Sequence, residues 1–541
     1  MTVHEHGARP YRWVGALSEK RATLTPERTA LVDADTNTEY TYADLDRRAN
    51  RTARLLRKRG VDDGDRVAVV SRNRPAVVDC YFATAKLGAV LAPLSHRLAP
   101  RELALMLDDI DPALLVVEAP FATELRDALD HDEFSHEIPP LLGLTGPETD
   151  HEFGSGPEGS TWHRYEEVLP TDGSAVETAD IALSDPHLFL HTGGSTGLPK
   201  QVVQTHGSIA WNAFNTIISW GLRPDDVTPM LFPFFHTGGW NVLTIPLFHL
   251  GGTVIISRDI EPTTVLSLVE QWGATVLVSV PAVLRFMVQD DDWESTTLSS
   301  LRFVKSGGGP CRDSIIKAWN ERGLSLTQGY GLTECGPNNF AMPEGFPQEK
   351  TASIGTPGLY VDARVVDDDG TELPVKEVGE LELASPHATN RYWNNEEATA
   401  ETFGPTNKDD SNGDGEAWVS TGDLARVDAD GYYYIEGRKK NMFVSGGENV
   451  YPPAIEDAIA DHPKVDEVIV IPVPDEQWGE VGKAVVEGKE SLTLDELDTF
   501  LDGKLAGFKR PHHLVVIDSM PTSGPSKIDR QAIESAYGDS S

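Results

Sequence analysis

Short apolar runs alternate with helix-length stretches through the first four-fifths of the chain, and this alternation constrains the fold more than any other feature. Arg66-Val-Ala-Val-Val70 reads as a strand, Ala76 to Leu87 as an apolar helix stopped by Gly88, and Ala89 to Ala92 as the next strand. A helix over Pro100 to Asp109 leads into a strand over Ala113 to Val117. Strands that each return through a helix pair in parallel and need cover on both faces. The expectation is an α/β fold with a large, multi-layer N-terminal domain. From about Arg438 the pattern changes to helix Pro453 to Asp461, strand Glu467 to Val473, helix Leu494 to Lys504 and strand Leu514 to Ile517. This predicts a smaller α+β C-terminal domain of ordinary size. The boundary is placed near Gly437 to Lys440, giving 1–437 and 438–541. Gly- and acid-rich stretches over Thr145 to Gly159 and Pro405 to Glu416 read as surface loops.

Charge removes several classes of partner. The chain of 541 residues carries 85 acidic against 46 basic side chains, a net −39, which opposes binding to DNA or an anionic membrane. The excess is spread along the chain, as suits a protein adapted to concentrated salt, where screening suppresses self-repulsion. Cys80, Cys311 and Cys335 form no paired spacing, so no disulfide framework is expected. No apolar run nears the ~20 residues needed to span a bilayer, and Met1 to Lys20 lacks a signal-peptide core. A cytoplasmic enzyme acting on small molecules is expected. The sequence is silent on oligomeric state, and a homodimer stays open.

The richest segment for chemistry is Leu188-Phe-Leu-His-Thr-Gly-Gly-Ser-Thr-Gly-Leu-Pro-Lys200. Gly193, Gly194 and Gly197 let backbone N–H groups approach a ligand, Thr192, Ser195 and Thr196 add donors, and Lys200 adds a positive charge. Together they suit a polyphosphate. The bland alternative is a glycine-rich hairpin. Leu198 and Pro199 separate Gly197 from Lys200, so this is not the Walker-type loop. Gly193-Gly-Ser195-Thr-Gly197 also fits the nucleophile elbow of α/β-hydrolases, but an elbow needs a helix next, whereas Gln201 to Thr205 is strand-like. Asp410-Ser-Asn412-Gly-Asp414-Gly415 imitates a calcium loop until its twelfth position, where Thr421 replaces the required acid. In Gln328-Gly-Tyr-Gly-Leu-Thr-Glu334, Thr333 and Glu334 follow a tight turn, and a carboxylate there suits Mg²⁺ beside phosphates. Asp423, in Ser420-Thr-Gly-Asp423, suits paired sugar hydroxyls, although alone it would more often cap a turn. His236, among aromatics in Phe234-Phe-His-Thr-Gly-Gly-Trp240, reads on its own as a packed core histidine.

In this order the segments resemble the AMP-forming adenylating superfamily, which includes acyl-CoA synthetases, carrier-protein adenylation domains and firefly-type luciferases. The resemblance spans about Tyr40 to Arg530 and rests on six ordered segments. It implies that Thr192 to Lys200 binds phosphate, that Gly307-Gly308-Gly309-Pro310 borders adenine, and that Tyr330-Gly331 lies beside the ring. Thr333 would contact phosphate and Glu334 would associate with Mg²⁺. Asp423 would bind the ribose hydroxyls with Arg438 nearby, and Lys440 would be the hinge. Gly446-Gly447 would enter the site for thioester formation, Lys527 would be the adenylation lysine, and His236 would border the acyl and thiol pocket. The acyl pocket would draw on Trp211 to Phe214, His236 to Leu243, Gly307 and Asn338-Asn339-Phe340, whose aromatics point to an apolar acid. ATP, Mg²⁺ and CoA are the implied cofactor set, and the C-terminal domain is implied to be mobile about Lys440.

Three positions depart from the family pattern. Gly193 stands where a serine is usual, Gln201 where a glycine follows the lysine, and Ser526 where a glycine precedes the adenylation lysine. The segments Val280-Pro-Ala-Val-Leu-Arg285, Pro93 to Leu98 and Gly446 to Pro452 look closest to fatty- and aryl-acyl-CoA synthetases, so an acid:CoA ligase is expected. A carrier-protein-directed adenylating enzyme, a Ser195 hydrolase and an inactive nucleotide-binding relative stay open as alternatives.

Overall fold

The computed structural model of the chain describes residues 15–145, 153, 156–157, 160–192, 199–258, 261–403, 418–446, 448–475, 477–488, 490–522 and 528–539. Strands Arg66–Val70 (β1), Val90–Leu94 (β2), Leu114–Glu118 (β3), Leu141–Leu144 (β4), Trp162–Arg164 (β5), Pro186–Thr192 (β6) and Lys200–Thr205 (β7) form one sheet in the order β5-β4-β3-β1-β2-β6-β7. All its pairings are parallel except β6 with β7. The crossover helix Pro75–Leu87 (α1) is buried at every position. It starts with proline in its first turn and ends at Gly88, whose φ of +73° is a conformation glycine adopts without strain. A Cβ there would also sit 2.2 Å from the Asp63 carboxylate.

Helix His206–Trp220 (α2) follows β7, capped by Thr205 accepting from the Ser208 N–H. Further along the chain, Val276–Ser279 (β8), Phe303–Ser306 (β9) and Leu326–Gln328 (β10) form a parallel three-stranded sheet. Its Leu277, Val304 and Leu326 pack with Leu284 and Met287 of helix Pro281–Gln289 (α3) and with Ile315, Ile316 and Trp319 of helix Asp313–Glu321 (α4). A further sheet pairs Asp362–Val366 (β11), Gly379–Ala384 (β12), Val419–Val427 (β13) and Tyr433–Arg438 (β14) antiparallel in sequence order.

Beyond Arg438 the chain builds a second, smaller domain. Phe443–Ser445 (β15) and Glu448–Val450 (β16) form a hairpin, followed by helix Pro452–Ala460 (α5). The long strands Glu467–Asp475 (β17) and Gly479–Glu487 (β18) pair over nine positions, helix Leu494–Leu501 (α6) covers them, and His513–Ile517 (β19) lies parallel to β18. Phe443, Ile455, Ile459, Val470, Val486, Leu497 and Leu501 form a core separate from those of the N-terminal domain. Across the junction, Glu467 accepts from Arg312 Nη2 at 2.8 Å and from Arg285, and the Asp466 carbonyl accepts from Arg285 at 3.1 Å.

The predicted strands and helices fall within a few residues of the observed ones, but β18 was not anticipated. Two glycines and three charged residues hide its pattern, and its identity comes from the partners on either side. The acid-rich stretch after Thr145 is not all surface loop, because Phe153 is buried against Trp162 at 4.9 Å between ring centroids. The stretch Pro405 to Glu416, with its calcium-like pattern at Asp410 to Gly415, lies outside the described residues. Among those described, no helix is long and apolar enough to cross a membrane.

Candidate active site

The glycine loop is carried by the one antiparallel pairing of the large sheet. Thr192 at the end of β6 faces Lys200 at the start of β7, while Gly193, Gly194, Ser195, Thr196 and Gly197 lie outside the described residues. A strand rather than a helix follows this loop, which removes the backbone frame a nucleophilic Ser195 would need. The flanks of the loop are thus a hairpin, and that hairpin is what delivers Lys200. The ammonium of Lys200 sits 5.0 Å from the ring centroid of Tyr392, a cation–π contact. The Tyr392 hydroxyl donates to Glu334 Oε1 at 2.7 Å, and burial together with that carboxylate raises its pKa.

Thr333 and Glu334 are gripped from two sides. Gln204 of β7 donates to the Thr333 carbonyl at 3.0 Å and accepts from Asn241 at 2.5 Å. The Thr389 backbone N–H and hydroxyl donate to the Glu334 carbonyl at 2.8 and 3.1 Å. Sequence reasoning missed Tyr392, Gln204 and Thr389. Nothing in their local pattern marks them, since their importance arises only from what they touch.

A second cluster forms where the sheets end. Gly308 has φ +83°, and a Cβ built on Gly307 or Gly309 would meet nothing within 4 Å. These glycines and the exposed Pro310 therefore border open space. Gly331 is the opposite case: a Cβ there would lie 2.1 Å from the Pro337 carbonyl oxygen, so the turn closes only on glycine. Asp423 and Arg438 face each other across β13 and β14. Asp423 Oδ1 pairs with Arg438 Nε at 2.7 Å, and Oδ2 accepts from the Tyr330 hydroxyl at 2.6 Å. Burial raises the Asp423 pKa, while Arg438 and Tyr330 pull it down. Both oxygens are engaged, yet each keeps a lone pair for a further donor.

His236 is exposed rather than packed in the core. Its neighbour His191, 6.2 Å away between ring centroids, is buried, and burial pushes its pKa down to about 3. Of the segments expected at the acyl pocket, Trp240 is fully buried between Phe234 and Tyr81. Asn338 is buried too, donating to Thr216 Oγ1 at 2.7 Å and to the carbonyls of Asn241 and Val242. These side chains brace α2. Trp211 and Phe214 on that helix are half-buried, at 5.9 Å from each other.

In the smaller domain, Gly446 turns the β15–β16 hairpin with φ +60° and donates its N–H to the Trp478 carbonyl at 2.9 Å. A Cβ there would strike the Trp478 ring at 2.6 Å. Lys440 is exposed in a short turn beside Lys439, which pairs with Asp368 and Glu380 at 2.9 Å each. Gly447 and Lys527 lie outside the described residues, as does Ser526. Among the described residues no group of three or more His, Cys, Asp or Glu side chains is placed to hold a metal on its own.

A large α/β domain followed by a small C-terminal domain is the architecture of adenylate-forming enzymes. The chain belongs to the AMP-binding enzyme family, whose pattern it matches over residues 18–393, with the AMP-binding enzyme C-terminal domain at 454–527. It is 34% identical to a feruloyl-CoA synthase of Amycolatopsis sp., covering 97% of this chain and 99% of the relative. It is 32% identical to the long-chain-fatty-acid–CoA ligase FadD13 of Mycobacterium tuberculosis, covering 97% and 98%. The solved anthranilate CoA ligase AuaEII, in complex with anthranoyl-AMP, superposes with a TM-score of 0.85 at 25% identity over 99% of both chains.

Proposed function

We propose that the chain is an AMP-forming acid:CoA ligase acting on a fatty or aryl acid. A carboxylate oxygen attacks the α-phosphorus of ATP, the bond to pyrophosphate breaks, and an acyl-adenylate forms. The sulfur of CoA then attacks the acyl carbon, losing its proton, and AMP leaves. The observations that carry this reading are the chain Lys200–Tyr392–Glu334, at the end of the hairpin that carries the glycine loop, and the separate cluster Tyr330–Asp423–Arg438. One is suited to polyphosphate and the other to a sugar.

On this reading Thr192 to Lys200 and Thr333 bind the phosphates, Gly308, Gly309, Pro310, Tyr330 and Gly331 border adenine, and Asp423 with Arg438 holds the ribose. Glu334 has one oxygen taken by Tyr392, and the other fits a hard cation that keeps most of its ligands from phosphate and water. Bound Mg²⁺ supplies neutralising charge for the departing pyrophosphate. Lys527 bridges the incoming carboxylate and the α-phosphate, so that two anions can meet. His236, which is exposed, borders the acyl and thiol groups. The smaller domain, taken as 438–541 against 1–437, turns about Lys440 to exchange Lys527 for the Gly446-Gly447 hairpin.

The test is carboxylate-dependent pyrophosphate–ATP exchange in molar KCl, where a net charge of −39 is screened, followed by AMP release on adding CoA or a holo-carrier protein. Lys527→Ala should abolish exchange while ATP binding is kept. Full exchange in that variant would remove Lys527 from its role. ATP binding without exchange in the wild type would instead identify an inactive relative.

A further inference from the structure

Asn73 lies in the turn between β1 and α1 with 5% of its surface exposed. Its side-chain amide donates to the Phe232 carbonyl at 2.9 Å, and its Oδ1 accepts from the Phe234 N–H at 2.8 Å. In a parallel ladder one residue bonds in this way to two residues of the neighbouring strand that stand two apart. Here a side chain does so, across 159 positions of sequence.

The segment it grips leads directly to His236. The His236 N–H donates back to the Pro233 carbonyl at 3.0 Å. From the other side Trp240 donates its indole N–H to the Phe234 carbonyl at 2.6 Å and stacks on the Phe234 ring at 4.2 Å between centroids. Both backbone groups of Phe234 are therefore taken, the N–H by Asn73 and the carbonyl by Trp240. The turn closes tightly as well, since a Cβ on Gly239 would lie 2.4 Å from the Pro233 carbonyl oxygen. His236 thus projects its exposed ring from a backbone clamped on two sides.

Asn73 is itself held in place. The buried Glu118 at the end of β3 accepts from the Arg72 N–H at 2.9 Å, from Arg72 Nη2 at 2.8 Å and from the Ser71 hydroxyl at 3.2 Å. Arg74 Nη1 lies 3.5 Å from the same carboxylate. One buried acid so gathers the whole turn from Ser71 to Arg74 and fixes the direction in which it presents Asn73.

We propose that Asn73 is a positioning residue for His236, setting that ring at the acid and the thiol while touching neither. This rests on the adenylation reading above and deepens it by naming the group that fixes His236.

The two half-reactions and a double substitution test it. Asn73→Ala should raise KM for the acid and slow CoA-dependent AMP release by about 10- to 100-fold, the penalty of a reacting geometry displaced by about 1 Å. KM for ATP should stay unchanged. Added to His236→Ala, the same substitution should cost almost nothing more, because the residue it positions is gone. Asn73→Asp supplies a second check. Its carboxylate would face the Phe232 carbonyl in a buried turn, with Arg72 and Arg74 already engaged by Glu118, and burial favours the neutral acid. The neutral acid donates and accepts as the amide does, so activity relative to wild type should recover as pH falls from about 8 to about 6.5. Circular dichroism and ATP binding check that each variant folds. A loss in Asn73→Ala that adds in full to that of His236→Ala, or that falls equally on KM for ATP, would overturn the proposal. So would a flat Asn73→Asp ratio across that pH range. Exchange with no acid in the wild type would instead sink the adenylation reading, and this inference with it.

Discussion

Tyr392 joins two charges that no local pattern connects. Its ring carries Lys200 and its hydroxyl holds Glu334, a residue 58 positions away. Replacing it by phenylalanine keeps the ring and deletes one hydrogen bond to a carboxylate, worth about 1.5–3 kcal/mol. Tyr392→Phe should therefore slow pyrophosphate exchange by about 10- to 100-fold and raise the Mg²⁺ concentration it needs, as an Mg²⁺ titration would record. An unchanged titration would mean that Glu334 is oriented by Thr389 alone. Asp423 and Glu334 stand out in the sequence because each sits in a short segment of special turn residues, whereas Arg438 and Gly331 came only with the family resemblance. Tyr392 does not stand out, since an aromatic in an acid-rich stretch has no signature until the fold brings β7 beside it. His236 shows the same limit from the other side. Its aromatic neighbours suggested a packed core residue, but the ring is exposed, and of the two it is the neighbouring His191 that is buried.

At the scale of elements, the junction between the domains depends on Glu467 at the head of β17. It takes Arg312 and Arg285 from the α3 and α4 region, with about a quarter of each side chain still exposed. Such partly exposed pairs contribute little singly, up to about 1 kcal/mol, although two arginines on one carboxylate share the same anchor. Glu467→Ala should loosen the C-terminal domain without unfolding it. Limited proteolysis in the turn after Arg438 should then quicken severalfold, with the melting of the N-terminal domain unaltered. Equal cleavage rates would show that other contacts carry the docking. Most strands and helices could be read in advance because their apolar runs end at glycine or proline. The nine residues of β18 could not, since a central strand with two glycines is defined by β17 and β19 rather than by itself.

The molecule as a whole buries an unusual set of neutral histidines. Burial lowers the pKa of His187, His249 and His387 to about 4 and that of His191 to about 3. A histidine whose pKa is lower folded than unfolded binds fewer protons in the native state below its ordinary value of about 6.5. Its contribution is complete above that pH and is lost as pH falls toward the lowered value. Each such group costs about 1.4 kcal/mol per pH unit in this window, so four together approach the whole stability of an ordinary domain within two units. Denaturant melts in molar KCl should show stability falling steeply from pH 6.5 toward 4. A flat profile down to pH 5 would show that these rings reach water before the fold gives way.

The amino-acid sequence determined the two-domain α/β plan and the family, and it singled out the segments around Thr192, Glu334 and Asp423 as candidates for chemistry. These depend on short-range signals: hydrophobic period, glycine where backbone must turn or approach closely, and polar residues clustered within a few positions. The tertiary structure decided how those segments are held. It set Tyr392 under Lys200 and closed both oxygens of Asp423 on Tyr330 and Arg438. Such contacts join residues tens to hundreds of positions apart. A side chain's burial and partners are properties of the packed whole, so no reading along the chain could supply them.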